Sequence, residues 1–127
     1  MDYTGEIMSN PKILLVDDDV QFLEATEYML KYEGYEVITA KNGEEAIKKY
    51  RAVRPNIVLM DIKMPVMNGY SAFFKIKETS PDAKIVFTSA YAINNEEFER
   101  AKKSGLFGLL TKPFDLNDLN KMIASKA

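Results

Sequence analysis

Three consecutive aspartates, Asp17, Asp18 and Asp19, end the apolar run Ile13 to Val16, and a fourth, Asp61, ends the run Ile57 to Met60. Two hydroxyls, Thr88 and Ser89, and a lysine, Lys112 after Thr111, close two further apolar runs. Carboxylates gathered in one crevice repel each other unless protons or a cation compensate. A few carboxylates with a carbonyl and waters suit a hard, oxygen-seeking ion, and Mg²⁺ first of all, with Mn²⁺ able to stand in. One aspartate would suffice to cap the helix that follows Val16, so three in a row ask for more. Taken singly, Asp61 reads as a turn residue, Lys112 as a solvated surface lysine and Ser89 as a hydroxyl satisfied by backbone. Together, a carboxylate nucleophile, a metal, a hydroxyl donor and a lysine are the parts needed to form and hold an aspartyl phosphate.

Other chemistries are excluded by composition. The 127 residues contain no histidine, cysteine or tryptophan, so there is no thiolate or imidazole metal site, no Ser-His-Asp triad, no thiol nucleophile and no disulfide. With 17 Lys+Arg against 19 Asp+Glu, the formal charge of −2 gives no basic surface for DNA or RNA. The apolar runs fall far short of the ~18 residues a membrane-spanning helix requires, and the start of the chain lacks the pattern of a signal peptide. A cytoplasmic protein of one domain is the expectation.

The elements that must carry these residues alternate. Met1 to Asn10 reads as a flexible leader, and residues 11–127 as the domain. The strands are Ile13 to Val16, Tyr35 to Ala40, Ile57 to Met60, Lys84 to Ser89 and Leu106 to Thr111. Between them run helical patterns: Val20 to Glu33 up to Gly34, a helix opened by Asn42-Gly43 and stopped by Pro55, Gly69 to about Thr79, one opened by Asn94 with Glu97 in capping-box spacing, and a last one capped by Asp115. Nearly all-apolar strands separated by helices indicate an α/β fold with a parallel sheet covered on both faces, doubly wound by right-handed crossovers. In such a sheet the site lies at the carboxyl ends of the strands, where the residues above fall.

Four signatures resemble the receiver domain of bacterial and archaeal two-component response regulators, over Lys12 to about Ser125. They are Ile13-Leu14-Leu15-Val16-Asp17-Asp18-Asp19; Ile57 to Pro65 with Asn68-Gly69; Thr88-Ser89-Ala90; and Thr111-Lys112-Pro113-Phe114. The resemblance implies a flavodoxin-like (βα)5 fold with strand order 2-1-3-4-5. It implies that Asp61 is the phosphoacceptor, that Asp18, Asp61 and the backbone carbonyl of Lys63 ligate Mg²⁺, and that Asp17 acts through water. Ser89 would donate its hydroxyl to a phosphoryl oxygen, in preference to Thr88, because the family places the hydroxyl just before the small residue, here Ala90. Lys112 would pair with the same oxygen, with a cis Lys112-Pro113 peptide. Lys63 and Tyr91 would flank the entrance and shield the acyl phosphate from water.

The resemblance also implies a function and its partners: a signalling switch, assisting its own phosphorylation and dephosphorylation without being an enzyme in the ordinary sense. It would be charged by a histidine kinase or a histidine phosphotransfer protein and then relay the phosphoryl group or bind a protein target, as a monomer or a phosphorylation-linked dimer. The first helix would be the kinase-docking face and the stretch Asn94 to Phe107 the output face, with Phe98 expected in the core. Subtracting a receiver of about 115 residues leaves only the leader, so a stand-alone regulator is expected. Leu109 departs from the family, which often has an aromatic three residues before the lysine, and rotation of Tyr91 or a subtler loop shift would have to substitute for its switching role. Lys63 stands where a carboxylate-nucleophile phosphatase would want its acid, and three aspartates would repel a flavin phosphate. The remaining rival is a pseudo-receiver, an interaction module that is never phosphorylated.

Overall fold

The structure, a computed structural model, describes residues 11–91, 93 and 95–125; the leader expected over residues 1–10 lies outside them. In chain order the elements are β1 (Lys12–Val16), α1 (Val20–Tyr32), β2 (Glu36–Ala40), α2 (Gly43–Val53), β3 (Ile57–Asp61), α3 (Gly69–Thr79), β4 (Ile85–Ser89), α4 (Glu96–Lys103), β5 (Gly108–Thr111) and α5 (Leu116–Ser125). The strands form one parallel sheet in the order β2-β1-β3-β4-β5, with β1 paired to both β2 and β3. This is the doubly wound arrangement expected from the alternating pattern, in the flavodoxin-like order that the resemblance implies. Among the described residues no helix is long and apolar enough to cross a membrane.

Successive strand residues point to opposite faces, so the apolar runs build two cores. Ile13, Leu15, Ile57, Leu59, Val86 and Leu110 meet Leu23 and Leu30 of α1 and Leu119 of α5. Leu14, Val16, Val58, Met60, Ile85 and Phe87 meet Ala46, Ile47 and Tyr50 of α2, Phe73 and Ile76 of α3, and Phe98 of α4. Phe98 is therefore a core residue, as expected.

Side chains cap the helices where the sequence offers them. Asn42 Oδ1 accepts from Glu45 N at 2.8 Å, Asn68 Oδ1 from Ser71 N at 3.0 Å, and Asp115 Oδ1 from Asp118 N at 2.9 Å. For α4 the cap is Asn95, whose Oδ1 accepts from Phe98 N at 2.8 Å. This displaces the expectation by one residue; Asn94 itself lies outside the described residues. The last turn of α2 ends on Arg54 in the left-handed region (φ 52°), because Pro55 bars the residue before it from continuing the helix. β5 begins at Gly108, later than its apolar run suggests, since Leu106 N donates to Ala101 O and closes α4 instead.

Candidate functional site

The parallel sheet brings the carboxyl ends of β1, β3, β4 and β5 to one edge. There a cavity of about 490 Å³ is lined by Asp17, Asp18, Asp19, Asp61, Lys63, Ser89, Ala90, Tyr91, Asn95 and Lys112, with Ile62 and Ile93 as its apolar wall. The three consecutive aspartates divide their labour. Asp19 caps α1, its Oδ1 accepting from Phe22 N at 3.1 Å. Asp17, 1% exposed, accepts from Asp19 N through Oδ1 at 2.9 Å and from Lys112 Nζ through Oδ2 at 2.5 Å. Asp18 is exposed at the mouth.

Asp61 closes β3 and is 9% exposed. Carboxylate oxygens of Asp17, Asp18 and Asp61 all lie within 4.8 Å of one another. Lys112 Nζ reaches Asp61 Oδ1 at 3.5 Å, so one ammonium is shared between two buried acids. Burial, then the charge of Asp17, push the Asp61 carboxyl up to about 6, with Asp18 adding to the push and Lys112 opposing it. Burial alone would lower Lys112, but its hydrogen bond to Asp17 and the charges of Asp17 and Asp61 outweigh that and leave it raised. Three carboxylates with one lysine among them is a donor set short of positive charge, and its oxygens would fit a hard divalent cation.

The loop after β3 folds back on the Asp61 backbone. Gly69 opens α3 against it: a Cβ there would lie 2.4 Å from the Asp61 backbone oxygen. Val66 in the same loop adopts φ 70°, in the left-handed region, and is 76% exposed. Across the mouth the Lys63 ammonium stands 5.2 Å from the centre of the exposed Tyr91 ring, so the two residues expected to flank the entrance meet over it. The Ser89 hydroxyl is turned into its own loop, donating to Tyr91 O at 2.8 Å and accepting from Tyr91 N at 3.1 Å.

A family model, the response regulator receiver domain, matches residues 13–124. The chain belongs to this family. This receiver domain is 39% identical over 104 residues to the chemotaxis protein CheY of Thermotoga maritima, covering 81% of the chain and 86% of that protein. A CheY-like receiver domain protein from Methanospirillum hungatei shares 33% identity and a TM-score of 0.84 over 93% of this chain and 94% of its own. The response regulator TrrA of Thermotoga maritima, solved with Mg²⁺ and BeF, follows with 31% identity and a TM-score of 0.81 over 92% and 99%. Other relatives are longer: the receiver spans 47% of the transcriptional regulatory protein PhoP of Bacillus subtilis and 24% of the regulatory protein AtoC of Escherichia coli.

The receiver brings nearly every residue singled out in the sequence to this one edge. Asp17, Asp18, Asp61, Lys63, Ser89, Ala90, Tyr91 and Lys112 all line the cavity. Asp61 pairs in register with Thr88 and Ser89 with Thr111; Thr88 is 1% exposed and is not in the lining. The Lys112-Pro113 peptide is cis. Leu109 is half-buried against the core beside α4 and stands away from the cavity. Two residues are not legible as site residues in the sequence. Asn95 lines the cavity and accepts from Tyr70 Oη at 3.4 Å, linking α3 to the start of α4. Phe22 holds its ring against the Lys112 ammonium, where a helical period reads only a core residue. Its place on the first turn of α1, just past an acidic strand end, is the one signal the sequence offers.

Proposed function

We propose that this receiver is a phosphorylation-dependent switch whose acceptor is Asp61. The observation that carries the reading is the clustering of Asp17, Asp18 and Asp61 within 4.8 Å around a lysine shared between two of them. Asp17, Asp18, Asp61 and the backbone carbonyl of Lys63 would hold Mg²⁺, which when bound neutralises charge on the incoming phosphoryl group. The TrrA neighbour, solved with Mg²⁺ and BeF, supports a hard cation beside a phosphoryl-like group in a fold of this kind.

An Asp61 carboxylate oxygen attacks the phosphorus of a partner's phosphohistidine in line. The P–N bond breaks as the O–P bond forms, and the ring leaves as neutral imidazole because its other nitrogen already carries a proton. Lys112 takes up charge on the transferred oxygens, and the Ser89 hydroxyl, now bonded to Tyr91, turns to donate to one of them. That movement draws the β4–α4 loop inward and biases the face of α4 and β5 between two arrangements. The chain has no histidine, so the donor imidazole must come from a partner, a histidine kinase or phosphotransfer protein. Tyr28 and Tyr32, 75% and 80% exposed on α1, offer that partner an apolar foothold. The loaded receiver then passes the group on or binds a protein target.

The test is incubation of the full chain with acetyl phosphate and Mg²⁺, followed by intact mass. One phosphoryl group is expected on the wild type and none on Asp61→Asn. No gain removes the acceptor reading and leaves an unphosphorylated interaction module, whereas a gain that survives in Asp61→Asn places the group on another residue and removes Asp61 as the acceptor.

A further inference from the structure

Phe22 stands three residues past the cap Asp19, and its ring centre lies 4.4 Å from Lys112 Nζ. The ammonium thus has Asp17 on one side at 2.5 Å, Asp61 on another at 3.5 Å and an aromatic face on a third. The ring is itself backed by Phe114, two residues beyond Lys112, in an edge-on contact with centroids 6.2 Å apart and planes at 72°. Phe22 is half-buried in the apolar cluster beneath α1 and α5.

A π face attracts a cation without taking its proton or cancelling its charge. That matters here because Asp17 competes for the same ammonium and sits closer to it than Asp61 does. Charge develops during transfer on the Asp61 side, so the ammonium is useful only if it can lean away from Asp17 without being lost to water. A carboxylate in place of Phe22 would neutralise it, and a smaller apolar residue would open a path for solvent and weaken every charge interaction in the pocket.

We propose that Phe22 is a positioning residue of the phosphoryl-transfer site: its ring, backed by Phe114, holds the Lys112 ammonium beside Asp61. This role rests on the acceptor reading above. Leucine at position 22 keeps the apolar packing and removes the ring, while tyrosine restores it, so the pair separates positioning from core filling.

Two readouts on the full chain decide it. In ¹H–¹³C spectra the Lys112 ε-methylene signal, assigned by its loss in Lys112→Arg, is expected to be shifted upfield by the ring in the wild type and in Phe22→Tyr. It is expected to return to the ordinary lysine position in Phe22→Leu. In phosphorylation by acetyl phosphate with Mg²⁺, Phe22→Leu is expected to be slower by roughly three- to tenfold and Phe22→Tyr to match the wild type. On a Lys112→Ala background, Phe22→Leu should then cost nothing more. A normal rate in Phe22→Leu, an unshifted methylene in the wild type, or a loss that persists without Lys112 overturns the proposal. Phe22→Met is a second ringless variant should Phe22→Leu fold poorly. A wild-type chain that takes up no phosphoryl group sinks the acceptor reading itself, whereas normal uptake with an unchanged Phe22→Leu rate sinks only the role of Phe22.

Discussion

Ser89 and Thr88 sit side by side at the end of β4, both buried, and in the proposed switch only one would answer a phosphoryl group on Asp61. Adjacent strand residues face opposite sides. Ser89 borders the cavity, and its hydroxyl already exchanges hydrogen bonds with Tyr91 at the mouth of the site, donating to the carbonyl and accepting from the amide. Moving that one hydroxyl would therefore break two bonds and free the Tyr91 backbone, and in the proposed switch this would make Ser89 the trigger for the loop. With Mg²⁺ and beryllofluoride as the probe, amide shifts across residues 89–107 are expected in the wild type and in Thr88→Ala, and to be largely lost in Ser89→Ala. A response lost in Thr88→Ala, in a sample that is still folded, would place the hydroxyl one residue earlier. The alternation rule narrows this choice in the sequence, but the bonds to Tyr91 are tertiary and no spacing announces them.

Elements decide how tightly the loops hold the site, and two positions after β3 pull in opposite directions. Gly69 is there because α3 starts against the Asp61 carbonyl, with its own N donating to Ile62 O at 2.8 Å. Since the obstacle to a Cβ is backbone, Gly69→Ala has no flexible neighbour to push aside and is expected to cost about 1–3 kcal/mol in denaturant unfolding. Val66 is the reverse case: a β-branched residue in the left-handed region with its side chain in solvent. Val66→Asn relieves that backbone and loses little burial, so it is expected to gain up to about 1 kcal/mol in the same assay. A midpoint that falls in Val66→Asn would mean the side chain is held by something other than solvent. Strand cores and most caps are legible in sequence because they rest on local periods and on Asx residues at helix starts. Asn94 and Asn95 are adjacent and chemically alike, so only the fold shows which one caps α4. The site is legible for the same local reason, because a parallel sheet collects strand ends wherever the runs stop. Phe22 is not, because its role depends on Lys112, far along the chain and delivered by β5.

At the scale of the molecule the acidic edge and the two cores form one thermodynamic system, since the site is made of strand ends whose other residues are core. In the metal-free chain Asp61 titrates near 6 when folded, against an ordinary 3.8. Between those values the folded state binds the extra proton, so its stability falls as pH rises through that window and is lowest above it. A displacement of that size corresponds to a stability difference on the order of 3 kcal/mol between acid and neutral pH. Saturating Mg²⁺ reverses the sign, because it requires the carboxylates ionised and competes with the proton. Ligand bound only to the folded state adds about 2.7 kcal/mol at a hundredfold excess over its dissociation constant, and this gain should vanish as pH drops below about 6. Unfolding midpoints should therefore rise from pH 7.5 to pH 5 without metal and fall over the same interval with it. Asp61→Asn, which has no proton to exchange there, should show neither slope from this group and should be the more stable chain at pH 7.5 without metal. Parallel slopes with and without Mg²⁺ would mean that the cation does not meet Asp61. Because one sheet carries both cores, Phe73→Ala on one face and Leu30→Ala on the other should lower the midpoint while leaving the metal-dependent difference intact.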